Sequence, residues 1–219
     1  MRAGGARDDF GIAMAWIPDL VRSVPAPMDH VGEWVRGDTA RQGGVVALGL
    51  GGPEEGHPVN QFAAVFTQAR DAGLPATPHS GEGAGPESVW AALKTLHASR
   101  IGHGVRAVED PELLRVLAET GVALDVCPTS NLRLGLYPSH DAHPLKQLVA
   151  AGCRVTINTD DPALFMTSLG DEYRHAVEDC GITINELGDT ALRKIHARAR
   201  IVRRTSRGNR FRPVRGFYQ

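Results

Sequence analysis

The sequence lacks the features of a secreted or membrane-inserted protein. No run approaches the roughly 18 consecutive apolar residues that cross a bilayer. The amino terminus, MRAGGARDDFGIAMAW, has neither the apolar stretch nor the small-residue cleavage site of a signal peptide. Three cysteines form an odd number without metal-type spacing, which argues against a disulfide framework. We therefore expect a soluble, cytoplasmic protein without a membrane partner.

Aromatic residues are scarce too, at 5% of the 219 residues, so aliphatic side chains and alanine must fill most of the core. The net charge of −1 conceals an asymmetry, because Arg193 to Gln219 holds ten basic residues and no acidic one. A basic tail can bind nucleic acid, but this one lacks the apolar stripe of a covering helix. We expect residues 194–219 to be a disordered or out-of-frame end, and residues 1–193 to be the folded domain.

Short apolar runs alternate along the chain with longer helical patterns. The predicted strands have the apolar character of strands buried on both faces: Gly11–Trp16, Val45–Leu50, Ala76–Ser80, Arg100–His103, Ala123–Cys127 and Arg154–Thr159. The predicted helices between and after them are Asn60–Ala72, Glu87–His97, Asp110–Thr120, Pro144–Ala151 and Asp171–Cys180. This alternation predicts an α/β fold with a parallel sheet. The pattern alone leaves both a barrel and an open doubly wound sheet possible.

Polar residues that could carry chemistry follow the carboxyl ends of the predicted strands. His79 and Glu82 follow one strand, His103 closes the next, and Asp160 and Asp161 follow the last. The glycines beside His103 would allow close approach to an imidazole that touches a ligand. Adjacent carboxylates after an apolar strand need a cation or polar ligand to offset their repulsion. Each group also has a structural alternative: a buried, carbonyl-bonded histidine, or a helix N-cap at Asp161.

Four motifs in this order resemble the adenosine/adenine deaminase family of metal-dependent amidohydrolases. They are His-Ser-Gly-Glu, Arg-Ile-Gly-His-Gly, Cys-Pro-Thr-Ser-Asn and Asn-Thr-Asp-Asp-Pro, with 24 residues from His79 to His103 and 57 from there to Asp160. The resemblance covers about Gly11 to Arg193. It implies a partial (β/α)8 TIM barrel of parallel strands whose first strands are missing, because the family's first-strand His-x-His pair does not occur in this sequence.

The resemblance implies hydrolytic deamination of a 6-aminopurine, such as adenosine, to the 6-oxo purine and ammonia. His79 and Asp160 would be ligands of one Zn2+. Glu82 would protonate the purine ring nitrogen, and His103 would orient or deprotonate the zinc-bound water.

Two further residues would contact the substrate by the same resemblance: Gly52 through its backbone and Asp161 through a hydrogen bond to the base. Adenosine, adenine and aminodeoxyfutalosine are all substrates within such families, and the motifs leave open which one applies. Because the reaction needs no covalent step, we expect Cys127 to be a packed apolar residue. We expect His57, His140 and His143 to be surface or turn residues.

Two alternatives to an active enzyme remain at this stage. Without the His-x-His pair, two protein ligands remain, fewer than the three that usually hold catalytic zinc. The chain could then be an inactive truncated product or a pseudoenzyme, and unpaired barrel edges could drive self-association. The second alternative is a nucleic-acid-binding protein that uses the basic tail, and it is supported by composition alone.

Overall fold

The computed structural model describes residues 15–24 and 28–187, which fall into two compact units. The first unit contains the described residues up to Pro78, together with Ala91–Ser99. The second contains His79–Trp90 and the described residues from Arg100 onward. Most of the predicted strand Gly11–Trp16 and the whole basic tail 194–219 lie outside the described residues.

The first unit is built on three parallel strands and an aliphatic core. Its strands are β1 (Asp19–Val21), β2 (Leu48–Gly51) and the beginning of β3 (Ala76–Ser80). Its helices are α1 (Met28–Arg36), α2 (Asp38–Gln42), the 3-10 helix Val59–Phe62 and α3 (Ala63–Asp71). The core consists of aliphatic side chains and two phenylalanines, as the scarcity of aromatic residues predicts. The sequence did not predict β1; Trp16, the last residue of the predicted first strand, forms an isolated bridge to Val45.

The second unit continues from the end of β3 through three further parallel strands. These are β4 (Arg100–His103), β5 (Ala123–Val126) and β6 (Arg154–Ile157). Helix α4 (Pro86–Thr95) begins in this unit. The other helices are the 3-10 helix Val105–Glu109, α5 (Pro111–Thr120), α6 (Pro128–Arg133), α7 (Leu145–Ala150), α8 (Pro162–Phe165) and α9 (Leu169–Glu178).

Strand β3 belongs to both units, since its first residues pair with β2 and its last two with β4. The resulting sheet has six parallel strands in the order β1-β2-β3-β4-β5-β6. Sequential parallel strands joined by helices are the arrangement of part of a (β/α)8 barrel. The predicted fold class is therefore confirmed.

Helix boundaries follow from local capping. The side chain of Asp110 accepts hydrogen bonds from the Glu112 and Leu113 amides, and Pro111 occupies the first turn, so α5 begins as predicted. Helix α9 begins two residues before its predicted start because Ser168 is its N-cap. Strand β5 ends one residue early because Pro128 starts α6. No helix among the described residues is long and apolar enough to cross a membrane.

Candidate functional site

His103 lies at the centre of a cluster of polar side chains in the second unit. Its Nδ1 lies 3.2 Å from Oε1 of Glu82, and its Nε2 lies 3.8 Å from Oδ2 of Asp160. The ring of His79 contacts it edge-on, with the ring centroids 5.0 Å apart. Four of the six site residues predicted from the sequence therefore come together, from the ends of three strands.

The environment keeps the His103 imidazole uncharged at neutral pH. The residue is 2% exposed, and burial is the main cause that lowers the pKa of His103, to about 4. The neighbouring His79 lowers this pKa further, whereas Asp160 and Asp125 act in the opposite direction. One ring nitrogen therefore carries a hydrogen while the other accepts.

His103 and Asp160 both adopt left-handed backbone conformations, with φ of 61° and 58°. Such conformations cost about 1–3 kcal/mol each in a non-glycine residue and persist only where surrounding contacts enforce them. Here the strained residues end β4 and follow β6, where they direct their side chains into the same cluster. Strain of this kind is concentrated at ligand and active sites, which supports a functional role for the cluster.

Gly102 makes room for His79 on the neighbouring strand. The two residues are direct partners in the β3–β4 register. A Cβ added at Gly102 would lie 2.5 Å from Cδ2 of His79, far inside van der Waals contact. The sequence predicts that the glycines clear space around His103, whereas the structure shows that Gly102 clears space for His79.

Ser130 and Asn131, the last two residues of the Cys-Pro-Thr-Ser-Asn motif, bind the candidate site directly. The Ser130 hydroxyl donates to Oδ2 of Asp160 at 2.7 Å. The Asn131 amide donates to Oε1 of Glu82 at 3.0 Å, and its nitrogen lies 3.2 Å from Nδ1 of His103. Both side chains are fully buried. The motif was recognised in the sequence, but these two roles were not assigned to it.

Three polar side chains also interact across the neighbouring strands β4, β5 and β6. Arg100 on β4 forms an ion pair with Asp125 on β5, with Nε 3.0 Å from Oδ2. Thr156 on β6 donates to the same carboxylate. The sequence signal for this group is a single aspartate inside the otherwise apolar strand Ala-Leu-Asp-Val, which sequence analysis missed. Asp125 contributes to the electrostatics of His103, since its charge raises the pKa of that imidazole.

The two predicted substrate contacts are placed differently. Asp161 is the N-cap of α8, and its Oδ1 accepts from the amides of Ala163 and Leu164 at 3.1 and 3.0 Å. This confirms the structural alternative considered for Asp161. Gly52 follows β2 in the first unit with φ of 89°. A role in substrate binding stays a prediction for both residues.

Two other sequence predictions have different outcomes. Cys127 is buried as expected, and burial raises the pKa of its thiol well above the usual range, so it is a poor nucleophile. His143 was expected to be a surface or turn residue: it does lie in a turn, but it is not at the surface, because it is 3% exposed and its Nε2 lies 3.1 Å from Oδ1 of Asn131. No sequence feature distinguished it from the half-buried His140 three residues earlier.

Two overlapping groups of side chains at this cluster have ligand atoms close enough to hold a metal ion. One is His79, Glu82 and His103, and the other is His103, Cys127 and Asp160. Imidazole nitrogen and carboxylate oxygen are donors that Zn2+ binds. The two predicted ligands, His79 and Asp160, belong to these groups. The space at Gly102 accommodates the His79 ring, and the Ser130 hydroxyl holds the Asp160 carboxylate by a hydrogen bond. The donor atoms present therefore fit such an ion.

A third group, His140, His175 and Asp179, is less suited to metal binding. The rings of His140 and His175 stack 4.0 Å apart with only 7° between their planes. Imidazole lone pairs lie in the ring plane, so the lone pairs of two stacked rings run side by side and do not converge on one ion. Asp179 already bonds to Nδ1 of His175 at 2.6 Å.

Comparison with known proteins connects this geometry to one family. A family model described as adenosine deaminase matches residues 3–201. Aminodeoxyfutalosine deaminase from Streptomyces avermitilis is 46% identical over 171 residues, which cover 77% of this chain and 47% of that protein. Adenine deaminase from Chelativorans sp. is 51% identical over 152 residues, which cover 68% of this chain and 46% of that protein. The chain spans about half the length of these curated relatives.

A solved structure shows the same fold. The crystal structure of an amidohydrolase from Burkholderia ambifaria, with bound Zn, superposes with a TM-score of 0.82 at 28% sequence identity. The match covers 93% of this chain and 60% of the amidohydrolase.

We predict that replacing Gly102 by Ala destabilises the protein through a clash with the His79 ring. The expected loss in free energy of unfolding is about 1–3 kcal/mol, typical of overpacking. In a His79→Ala background the same change should cost much less, because the ring is gone. Urea unfolding of the four proteins in this double-mutant cycle measures the coupling, and strictly additive effects would contradict the contact.

Proposed function

The chain belongs to the adenosine deaminase family, and on that premise we propose that it carries the catalytic cluster of a zinc-dependent hydrolytic deaminase. The reaction is the hydrolysis of a 6-aminopurine to a 6-oxo purine and ammonia. The substrate is adenosine or a related nucleoside or base, in keeping with the names of the relatives.

The observation that carries this proposal is the contact of one neutral imidazole with two carboxylates. His103 lies 3.2 Å from Glu82 and 3.8 Å from Asp160; the imidazole is buried, and both carboxylates are partly open to solvent. A hydrolytic deamination of this kind needs a group that orients water, an acid that protonates the purine ring, and ligands for the metal ion that would activate the water. Imidazole, carboxyl and metal-ligand groups in mutual contact supply all three.

Each side chain has a role that its position supports. His79 and Asp160 are the residues that would hold Zn2+, which when bound supplies a water whose pKa is lowered to about 7. His103, beside Asp160, orients or deprotonates the attacking water. Glu82, on the other side of the same imidazole, donates the proton to the purine ring. Asp161 and the Gly52 backbone complete the proposal as contacts with the base.

Glu82 gives the most direct test of catalysis. We expect Glu82→Gln to lower kcat by about 10²- to 10⁴-fold, because the amide cannot supply the proton. Ammonia release from adenosine, adenine and aminodeoxyfutalosine, with Zn2+ added, measures the effect and the preferred substrate.

The matched control for that experiment is Glu119→Gln, at an exposed position on α5. Equal activity of the Glu82 and Glu119 variants would contradict the assignment of the acid. Zinc-loaded protein that releases no ammonia from any of the three substrates would favour the inactive alternative.

Metal binding is tested separately from turnover. We expect His79→Ala and Asp160→Ala each to weaken Zn2+ binding by more than the roughly 10- to 100-fold that loss of an outer partner costs. His175→Ala, in the stacked group, is the control and should bind like the unmodified chain. Zinc content after dialysis and titration calorimetry provide the measurement, and unchanged affinity in both test variants would overturn the ligand assignment.

Self-association through strand edges is a further proposal. Within the described residues, β1 and β6 each pair with one strand only. Edge strands present unpaired N–H and C=O groups that can bind a second chain. We expect the sedimentation coefficient to rise with protein concentration; a constant monomer value over a wide concentration range would contradict this.

A further inference from the structure

We propose that His143 is a positioning residue that fixes the Asn131 amide in one orientation, with its NH2 group aimed at Glu82 and His103. His143 lies in the turn before α7, and it does not contact Glu82, His103 or Asp160 in any hydrogen bond of the described residues. Its effect passes through Asn131. Its role in deamination rests on the proposed function, whereas the orientation of the amide does not.

The chain of hydrogen bonds begins at a donor whose identity is fixed. The backbone N–H of Leu145 donates to Nδ1 of His143 at 3.1 Å. A backbone amide can only donate, so Nδ1 of His143 must be the ring nitrogen without a hydrogen. In a neutral imidazole the hydrogen then sits on Nε2.

The neutral state of His143 is supported by its surroundings. The side chain is almost fully buried, and burial is the main cause that lowers its pKa to about 3, with smaller effects of His140 and His103. The ring also contacts Tyr137 edge-on, with centroids 5.0 Å apart, which holds its plane. A charged ring would moreover turn an Nδ1–H toward the Leu145 N–H.

The next bond sets the amide. Nε2 of His143 lies 3.1 Å from the side-chain oxygen of Asn131. Because Nε2 carries the hydrogen, the group that faces it must be the acceptor, which is the amide oxygen and not the NH2 group. The NH2 group is thereby turned to the opposite side, 3.0 Å from Oε1 of Glu82 and 3.2 Å from Nδ1 of His103.

The inverted amide would be unfavourable at both ends. Its NH2 group would meet the N–H of His143, and Oε1 of Glu82 would lose the hydrogen bond that the NH2 group donates to it. In a buried site an unsatisfied or repulsive polar contact is costly, because water cannot replace the lost hydrogen bond. His143 therefore selects the orientation in which Asn131 holds Glu82 by a donated hydrogen bond.

The first test reads the His143 tautomer directly in the parent protein. In protein labelled with 15N-histidine, long-range 15N–1H correlation spectra should show His143 as the neutral Nε2–H form at pH 7. His143→Gln identifies its signal by disappearance. An Nδ1–H form, or a charged ring at pH 7, overturns the proposal whether or not the chain is an active deaminase.

Two substitutions then test the consequence. His143→Leu removes the donor, and we expect it to lower kcat by about 10- to 100-fold with little change in KM. His143→Gln retains an NH2 group that can reach the Asn131 oxygen, so most of the activity should return. His140→Leu, on the same turn, is the control and should leave kcat unchanged.

The outcomes separate this proposal from the proposed function. Unchanged kcat in His143→Leu, or equal loss in the Leu and Gln variants, overturns the positioning role. If no variant and no parent protein shows turnover, hydrogen exchange of the Asn131 side-chain NH2 decides the question. Exchange should be slow in the parent chain and faster in His143→Leu, and identical rates overturn the proposal. If His143→Leu does not fold, the tautomer of the parent protein remains decisive.

Discussion

The register between β3 and β4 is the constraint on which the candidate site depends. It places His79 opposite Gly102 and Ser80 opposite His103. In parallel strands a slip of one residue turns every side chain to the other face. A slip would then remove His79 from the space beside Gly102 and separate it from His103. The glycine is thus both a consequence of the register and a reason for it, since a side chain at this position would exclude the imidazole.

The strained backbone at His103 and Asp160 is balanced by hydrogen bonds from one short helix. Residues of α6 contact both strained residues: Ser130 bonds to Asp160, and the side-chain nitrogen of Asn131 lies 3.2 Å from Nδ1 of His103. Left-handed conformations persist only where such contacts over-determine them. The role of Cys-Pro-Thr-Ser-Asn is therefore support, because its polar atoms hold residues that the other three motifs supply.

The sequence predicted the fold class and the core of the site for identifiable reasons. Strands β3 and β4 were predicted with their true ends, and each is followed directly by a glycine with positive φ, Gly81 and Gly104. His79, Glu82, His103 and Asp160 were predicted to converge because each lies at, or just after, the carboxyl end of a strand in a parallel fold.

Most of the features that the sequence did not predict depend on contacts between residues that are distant in sequence. The burial of His143 follows from the packing of its turn against Asn131 and Tyr137, which no local pattern reveals. The three-strand group of Arg100, Asp125 and Thr156 requires the sheet register to be known. Strand β1 is short and was missed because Asp19–Val21 has only one buried residue, Leu20.

The three buried thiols also determine how the protein meets oxidants. Cys127, Cys153 and Cys180 all lie in the unit that holds the polar cluster, and burial raises the pKa of each, to about 11 for Cys153 and about 12 for Cys180. Thiolate is the form that reacts with peroxides and alkylating agents, so the folded unit should resist both. Modification of any of these thiols would therefore indicate that the second unit had opened. The first unit has no cysteine, so its opening would not be detected by thiol modification.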